Sequence, residues 1–354
     1  PDTVTSLGNS LFWGCTKLKN VTLPQNLTSV GRAMFKGCSS LTNISLPTAV
    51  TSIGVQAFYR SGIKSITIPT GVIKLENYTF YGCNKLEGAL DLNHVRSIGE
   101  QCFAYCSNVE SIRALECTAI GNEAFESCSS LENALIPQAE TIGENAFKSC
   151  TELTKFTLNP SLTKLENGIF LGCVKLDNVT IPDRVTEIGN NAFWLCVGMK
   201  NIHIGSNVKT IGYNAFTGCS SLENIYIPRN VTTLGERAFA YCKNLKSIVF
   251  STSTLSIANK AFENCDSLEH VLLVTGSDCW DQYTIGTQND SLTNATRHCG
   301  SIHEESTFTE CGKEFEVTES CSVCGYVIGH RTDKLEHCYL AWNTVTPTCS
   351  RQGY

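Results

Sequence analysis

Val185-Thr186-Glu187-Ile188-Gly189-Asn190-Asn191-Ala192-Phe193-Trp194-Leu195-Cys196 reads V-T-x-I-G-x-x-A-F-x-x-C. A second copy starts at Val208 and carries Ile211, Gly212, Ala215, Phe216 and Cys219. A third starts at Val231 and carries Leu234, Gly235, Ala238, Phe239 and Cys242. Outward from these copies, phenylalanine marks one period along most of the chain. It stands at Phe12, Phe35, Phe58, Phe80, Phe103, Phe125, Phe147, Phe170, Phe193, Phe216, Phe239 and Phe262, always 22 or 23 residues apart. The residue three further on is cysteine in eleven of the twelve cases and Ser61 in the other. A period between 20 and 50 residues signals a solenoid, propeller or array.

Each repeat holds two short segments. One is an alternation such as Leu41, Ile44, Leu46 or Leu222, Ile225, Ile227, closed by Pro47 or Pro228. It predicts a strand with one buried face, stopped by a residue that cannot donate to a ladder. The other is V-T-x-I-G-x-x-A-F, read as an extended piece, a glycine turn and about one helical turn carrying Ala and Phe inward. One coil of this length cannot bury its own apolar face, so coils must stack. At ~4.8 Å per coil, twelve coils make a curved rod on the order of 55 Å long. A propeller blade needs about 40 residues per unit and is excluded. Glu76, Glu166 and Ala258 replace the turn glycine. If that glycine serves a positive φ, these three coils need a different turn. Phe156 and Phe250 take strand core positions and should widen their coils locally.

The repeat resembles the BspA-type leucine-rich repeats of bacterial cell-surface proteins and some mucosal protists. The resemblance covers about residues 1–275. It implies a leucine-rich-repeat solenoid, a right-handed superhelix of about twelve 22–23-residue coils built mostly of short strands. It also implies an extracellular, cell-surface location, macromolecular partners and no catalytic residues; some members are adhesins for host matrix or plasma proteins.

Composition agrees with that class. The net charge of −6 leaves no overall basic footprint for nucleic acid. No run of 18 apolar residues offers a membrane span. The chain opens inside a repeat, because Val4, Leu7 and Phe12 fall in register with Leu27, Val30 and Phe35. The expectation is an excised, monomeric piece, with leader and anchor outside it. Eleven of the 20 cysteines share one repeat position. They read as small buried hydrophobes with free thiols; the alternative is a ladder of disulfides between neighbouring coils. Cys102 and Cys117 read as core substitutions for Ala and Val.

The outward strand positions form the candidate ligand face. One column reads Thr22, Ser45, Thr67, Thr157, Thr180, His203, Tyr226, Val249; its neighbour includes Asn178, Asn201, Asn224, Ser247 and His270. Thr180, Asn201, His203, Asn224, Tyr226 and His270 are the residues expected to meet a protein or glycan of a host or neighbouring cell, since Tyr is a common interface anchor. Trp194 is a further aromatic candidate near them. The competing reading is a solvated face rich in strand-forming threonine.

Residues 276–297 lose the period and read as a cap or linker. Residues 298–354 form a small Cys/His-rich module. Its Cys321-x2-Cys324-Gly325 turn offers two thiolates from one tight loop. Cys311 and His337 complete a tetrahedral zinc set, with His330 as the alternative to His337. A disulfide-stapled module or disorder are the competing readings. The module resembles the Cys/His units that follow repeat domains in some Gram-positive surface proteins. No Ser/His/Asp set, carboxylate pair or phosphate loop points to an enzyme. The functional expectation is an adhesin-like, non-enzymatic surface interaction protein; the alternative is a spacer presenting other domains.

Overall fold

The computed structural model describes residues 3–252, 254–273 and 283–299, and the backbone of three later strands, Ile302–Ser306, Glu314–Cys321 and Val327–Lys334. The repeats stack as a β-solenoid with almost no helix. Every strand pair in it is parallel, and most coils contribute one rung to each of two ladders. The first ladder uses the L-x-x-I-x-I segments. It runs through Glu87–Asp91, Asn108–Arg113 and Asn133–Leu135, then Asn178–Thr180 and Asn201–His203, then Asn224–Ile227, Ser247–Phe250 and His270–Leu273. The second uses two- or three-residue strands ahead of the glycine, such as Glu187–Ile188, Thr210–Ile211 and Thr233–Leu234.

The segment around phenylalanine is not a helical turn. The residues two before and two after each of the twelve phenylalanines have positive φ, for example Asn191 (58°) and Leu195 (61°) around Phe193. Most are not glycine, although the left-handed region costs an L-residue roughly 1–2 kcal/mol. A strained conformation persists only where its surroundings over-determine it. Here the alternating residues donate to the next coil: Ala33 N–H to Val55 O at 3.0 Å, Phe35 to Ala57 at 2.8 Å, Gly37 to Tyr59 at 2.7 Å. The turn edge is thus a third hydrogen-bonded ladder. The helical reading fails because inward Ala and Phe three or four residues apart from other apolar positions look helical in sequence.

The phenylalanine rings stack in one unbroken column from Phe12 to Phe262, with centroids 5.0–5.7 Å apart. All but Phe12 are fully buried. The cysteines beside them are free. They are more than small hydrophobes, because at this repeat position each thiol from Cys38 to Cys265 donates to the phenylalanine carbonyl of the preceding coil: Cys196 to Phe170 O at 3.1 Å, Cys219 to Phe193 O at 3.3 Å, Cys242 to Phe216 O at 3.3 Å. Ser61, the exception in sequence, is buried and sits 3.4 Å from the Cys83 sulfur.

The turn glycine has a different reason from the one its position suggests. It does not adopt positive φ; a Cβ there would strike the previous coil. At Gly212 it would lie 2.8 Å from Asn190 N, and at Gly235 2.6 Å from Gly212 C. Close approach lets Gly212 N–H reach Ile188 O at 2.9 Å and Gly235 N–H reach Ile211 O at 2.8 Å. Glu76 and Glu166 show the consequence. The second ladder breaks in both places, between Ser52–Ile53 and Lys74–Leu75 and between Thr141–Ile142 and Leu165. Among the described residues neither glutamate amide donates to the preceding coil, whereas Ala258 still does, to Leu234 O at 3.0 Å. A methyl is absorbed and a longer side chain is not.

Phe156 disturbs the first ladder instead. Its ring tilts by 56° against Phe147 and 59° against Phe170. The strand there shrinks to a single bridging residue, Lys155, between Asn133 and Asn178.

Residues 283–299 carry both ladders one coil further. Tyr283–Ile285 pairs with Leu255–Ile257, and Thr296–Cys299 with His270–Leu273. The stretch read as a cap or linker has no Phe or Cys marker because Asn289 takes the alanine place. Its Oδ1 accepts the Phe262 N–H at 3.0 Å, where other coils use a backbone carbonyl. Its Nδ2 donates to Ala258 O and Gly286 O. Leu292, on the short helix Asp290–Asn294, is buried.

Candidate binding surfaces

The strand face follows from the parallel register. Thr180 lies opposite His203, and Asn178 opposite Asn201. Further along, Asn224, Ser247 and His270 share one column, and Tyr226, Val249 and Leu272 the next. The asparagine column ties itself together: Asn201 Nδ2 donates to Asn178 Oδ1 at 3.0 Å, and Ser247 Oγ donates to Asn224 Oδ1 at 2.6 Å. Thr180, Asn201, His203 and Asn224 are exposed, and Tyr226 is 38 % exposed. At one end of this patch Asp183 accepts both the Ser206 N–H (2.7 Å) and its hydroxyl (2.8 Å). The Ser206 backbone N–H, then its hydroxyl, hold the Asp183 carboxyl below its usual range.

The open face ends sooner than the sequence pattern implies. Val249 and Leu272 are only 2 % and 3 % exposed, although they continue the Tyr226 column. The strand Val327–Lys334 lies against Ser247–Phe250. His270 is half-buried, with Nε2 3.8 Å from a Glu269 carboxylate oxygen. Trp194 is not on this face. It follows Phe193 on the turn edge, in a shallow groove of about 410 Å³ lined also by Leu195, Tyr213, Arg237 and Tyr241.

A second aromatic cluster on the turn edge escaped the sequence reading. In the first four coils the residue after the phenylalanine is Trp13, Lys36, Tyr59 and Tyr81, none of them buried. The Lys36 ammonium lies 5.4 Å from the Trp13 ring centre and 4.6 Å from that of Tyr59. Tyr59 and Tyr81 stack at 4.7 Å, and the Arg60 guanidinium covers both rings at 5.5 and 6.0 Å. Nothing in the period marks this column, because the other coils fill it with Ala, Glu, Lys, Leu, Trp or Thr.

Two carboxyls further along this edge, Glu123 and Glu126, approach each other. Burial, then the neighbouring Glu126, pushes the Glu123 carboxyl up. Gln101 Nε2 donates to Glu123, and Lys148 pairs with buried Glu126 at 2.9 Å. Protein partners already saturate this pair. In the tail, Cys321 ends the strand Glu314–Cys321 and His330 lies in Val327–Lys334, the outer strands pairing antiparallel through the middle one. Cys311, Cys324 and His337 lie outside the described residues. Among the described residues no helix is long and apolar enough to cross a membrane, and no cluster of three or more His, Cys, Asp or Glu could hold a metal.

The profile of a family described as the BspA type leucine rich repeat region matches the chain in six copies, over residues 1–87, 89–200 and 187–314. A crystal structure of a leucine-rich repeat protein from Bacteroides ovatus is similar at 26 % identity and a TM-score of 0.65, covering 84 % of this chain and 82 % of that one. A leucine rich cell surface protein from Faecalibacterium prausnitzii is similar at 28 % identity and a TM-score of 0.50, covering 80 % of each chain. No curated protein matches.

Proposed function

Because this chain belongs to the BspA-type leucine-rich repeat family, we propose that it is a non-enzymatic, extracellular cell-surface protein whose strand face holds a protein or glycan of a host or neighbouring cell. The observation that carries this reading is the exposed column Thr180, His203, Tyr226 beside the asparagine ladder. A parallel rung holds Thr180 beside His203, and another holds Tyr226 in the next sheet, so these side chains lose little freedom when a partner arrives. Tyr supplies contact area at small entropic cost. The description of the Faecalibacterium prausnitzii relative as a cell surface protein supports the location.

Capture of matrix proteins and arrayed glycans by the full chain tests the reading. Binding that disappears in a T180A/H203A/Y226A variant of unchanged melting temperature is expected. Equal binding by the variant would remove the strand face from the reading, and no capture at all would favour a spacer.

For the tail we propose one zinc ion held by Cys311, Cys321, Cys324 and His337. Thiolate pairs in Cys-x2-Cys loops suit tetrahedral zinc. Elemental analysis before and after chelation is expected to give one zinc per chain. Zinc-free protein with Cys321 and Cys324 oxidised would replace the metal by a disulfide.

A further inference from the structure

Charge is unevenly placed along the stack. Residues 1–75 contain seven lysines and arginines against a single carboxylate, Asp2, a net of +6 in a chain whose total is −6. The rest of the chain therefore carries −12. Two of the seven cations, Lys36 and Arg60, stand in the aromatic strip of the turn edge. Lys36 is wedged between Trp13 and Tyr59 and donates to Gln56 Oε1 at 2.8 Å. Neither cation pairs with a carboxylate among the described residues. In the acidic coils, by contrast, Lys148, Lys175, Lys200, Arg237 and Lys246 each meet a carboxylate of a neighbouring coil. Lys74 of the same stretch pairs with Glu76 just beyond it, at 3.0 Å, so Lys36 and Arg60 are cations without a carboxylate partner in coils that hold almost no competing acid.

We propose that the strip formed by Lys36, Tyr59, Arg60 and Tyr81 binds a linear anionic polysaccharide bearing carboxylate or sulfate groups and running along the solenoid axis. The ring faces of Tyr59 and Tyr81 lie against each other, 7° from parallel, so the strip presents ring edges, phenol hydroxyls and cations outward. That surface suits a polymer carrying hydroxyls and regularly spaced anions. It does not suit nucleobases, which bind by stacking on free ring faces. The coil rise of ~4.8 Å is close to the length of one sugar unit, so one residue of the polymer meets one coil. The site is independent of the strand face.

The test measures binding of the full chain to heparin, hyaluronate, neutral dextran, poly-L-glutamate and duplex DNA at several salt concentrations. Heparin or hyaluronate binding is expected, weakening as salt rises because exposed charges are screened; hyaluronate carries carboxylates alone, so binding of heparin without hyaluronate means that sulfate is required. K36Q/R60Q should weaken it about tenfold, the loss of two exposed charge contacts. K209Q in the acidic half should leave it unchanged. R60Q alone serves if the double variant loses its circular dichroism signature. Preference for poly-L-glutamate or DNA, equal binding of dextran, self-association of the chain in place of polysaccharide binding, or full affinity in R60Q would overturn the proposal.

Discussion

The turn edge and the second-strand ladder lie on the same coils, yet one is unbroken and the other is cut twice. On the turn edge each of twelve coils supplies Phe, a thiol or hydroxyl, and two left-handed residues, and the ring column runs from Phe12 to Phe262 without a gap. In the second ladder, Glu76 and Glu166 remove the glycine that close approach requires, and the rungs stop there. The difference teaches where continuity resides. Rings and thiols hold the stack by burial and by bonds that tolerate small shifts, whereas the glycine rung has no room for a side chain. The breaks leave three runs of ladder on one uninterrupted core.

The largest expected effect tests the thiol side of this contrast. Burial raises the Cys83, Cys128 and Cys219 thiols to about 12 from an ordinary value of 9.0. Burial likewise holds Cys106, Cys150, Cys196 and Cys242 well above it. Their folded pKa exceeds the unfolded one, so their contribution is fully present below pH 9 and is lost as pH climbs from 9 towards 12. Each such thiol removes about 1.4 kcal/mol per pH unit in that window. The urea midpoint should therefore be flat from pH 7 to 8.5 and fall steeply above 9. A midpoint unchanged at pH 10.5 would mean these thiols are not buried. Of the cysteines from Cys15 to Cys265, exposed Cys15 alone should react with iodoacetamide at pH 8 without denaturant.

Next in size is the ring column. Phe193→Ala should cost about 3–5 kcal/mol by chemical denaturation, since it opens a cavity between Phe170 and Phe216. A loss below about 1 kcal/mol would show that the stack does not depend on the column.

The glycine rung should respond less, and in steps. Gly212→Glu should cost about 2 kcal/mol, the rung to Ile188 O together with local displacement. Gly212→Ala should cost clearly less, as Ala258 indicates. Hydrogen exchange at residue 212 reads the rung directly: protection lost in the Glu variant and kept in the Ala variant. Equal protection in both would disconnect the breaks from Glu76 and Glu166.

Legibility from sequence followed the same divide. The period, the inward Phe, the strand alternation and the buried thiols were readable, because a side chain repeated on every coil can only be serving the stack. The turn geometry was not. Left-handed φ is spread over Asn191, Arg237, Lys260 and other residue types that carry no signature of it. The reason for the glycine was hidden too, since positive φ and close approach demand the same residue. The last coil was invisible because Asn289 replaces a backbone acceptor with its side chain. On the candidate face, register sets Thr180 opposite His203 and Tyr226 opposite Val249. The strand of Val249 is met by Val327–Lys334, which lies far from it in sequence, and the column Trp13, Lys36, Tyr59, Tyr81 occurs in only four coils.

The smallest stability effect belongs to the strand face, and its smallness is what separates that face from the core. H203A/Y226A removes two exposed side chains whose neighbours in the ladder keep their backbone rungs. Surface changes of this kind stay within about 0.5 kcal/mol. Partner capture should nonetheless fall, because the face presents its chemistry through those two side chains. A large drop in stability would mean that His203 and Tyr226 serve the stack, as Phe193 does. Unchanged stability together with unchanged capture would leave the polar column as ordinary solvated strand, and would turn attention to the aromatic turn edge, where Tyr59 and Tyr81 present a surface that the stack itself does not require.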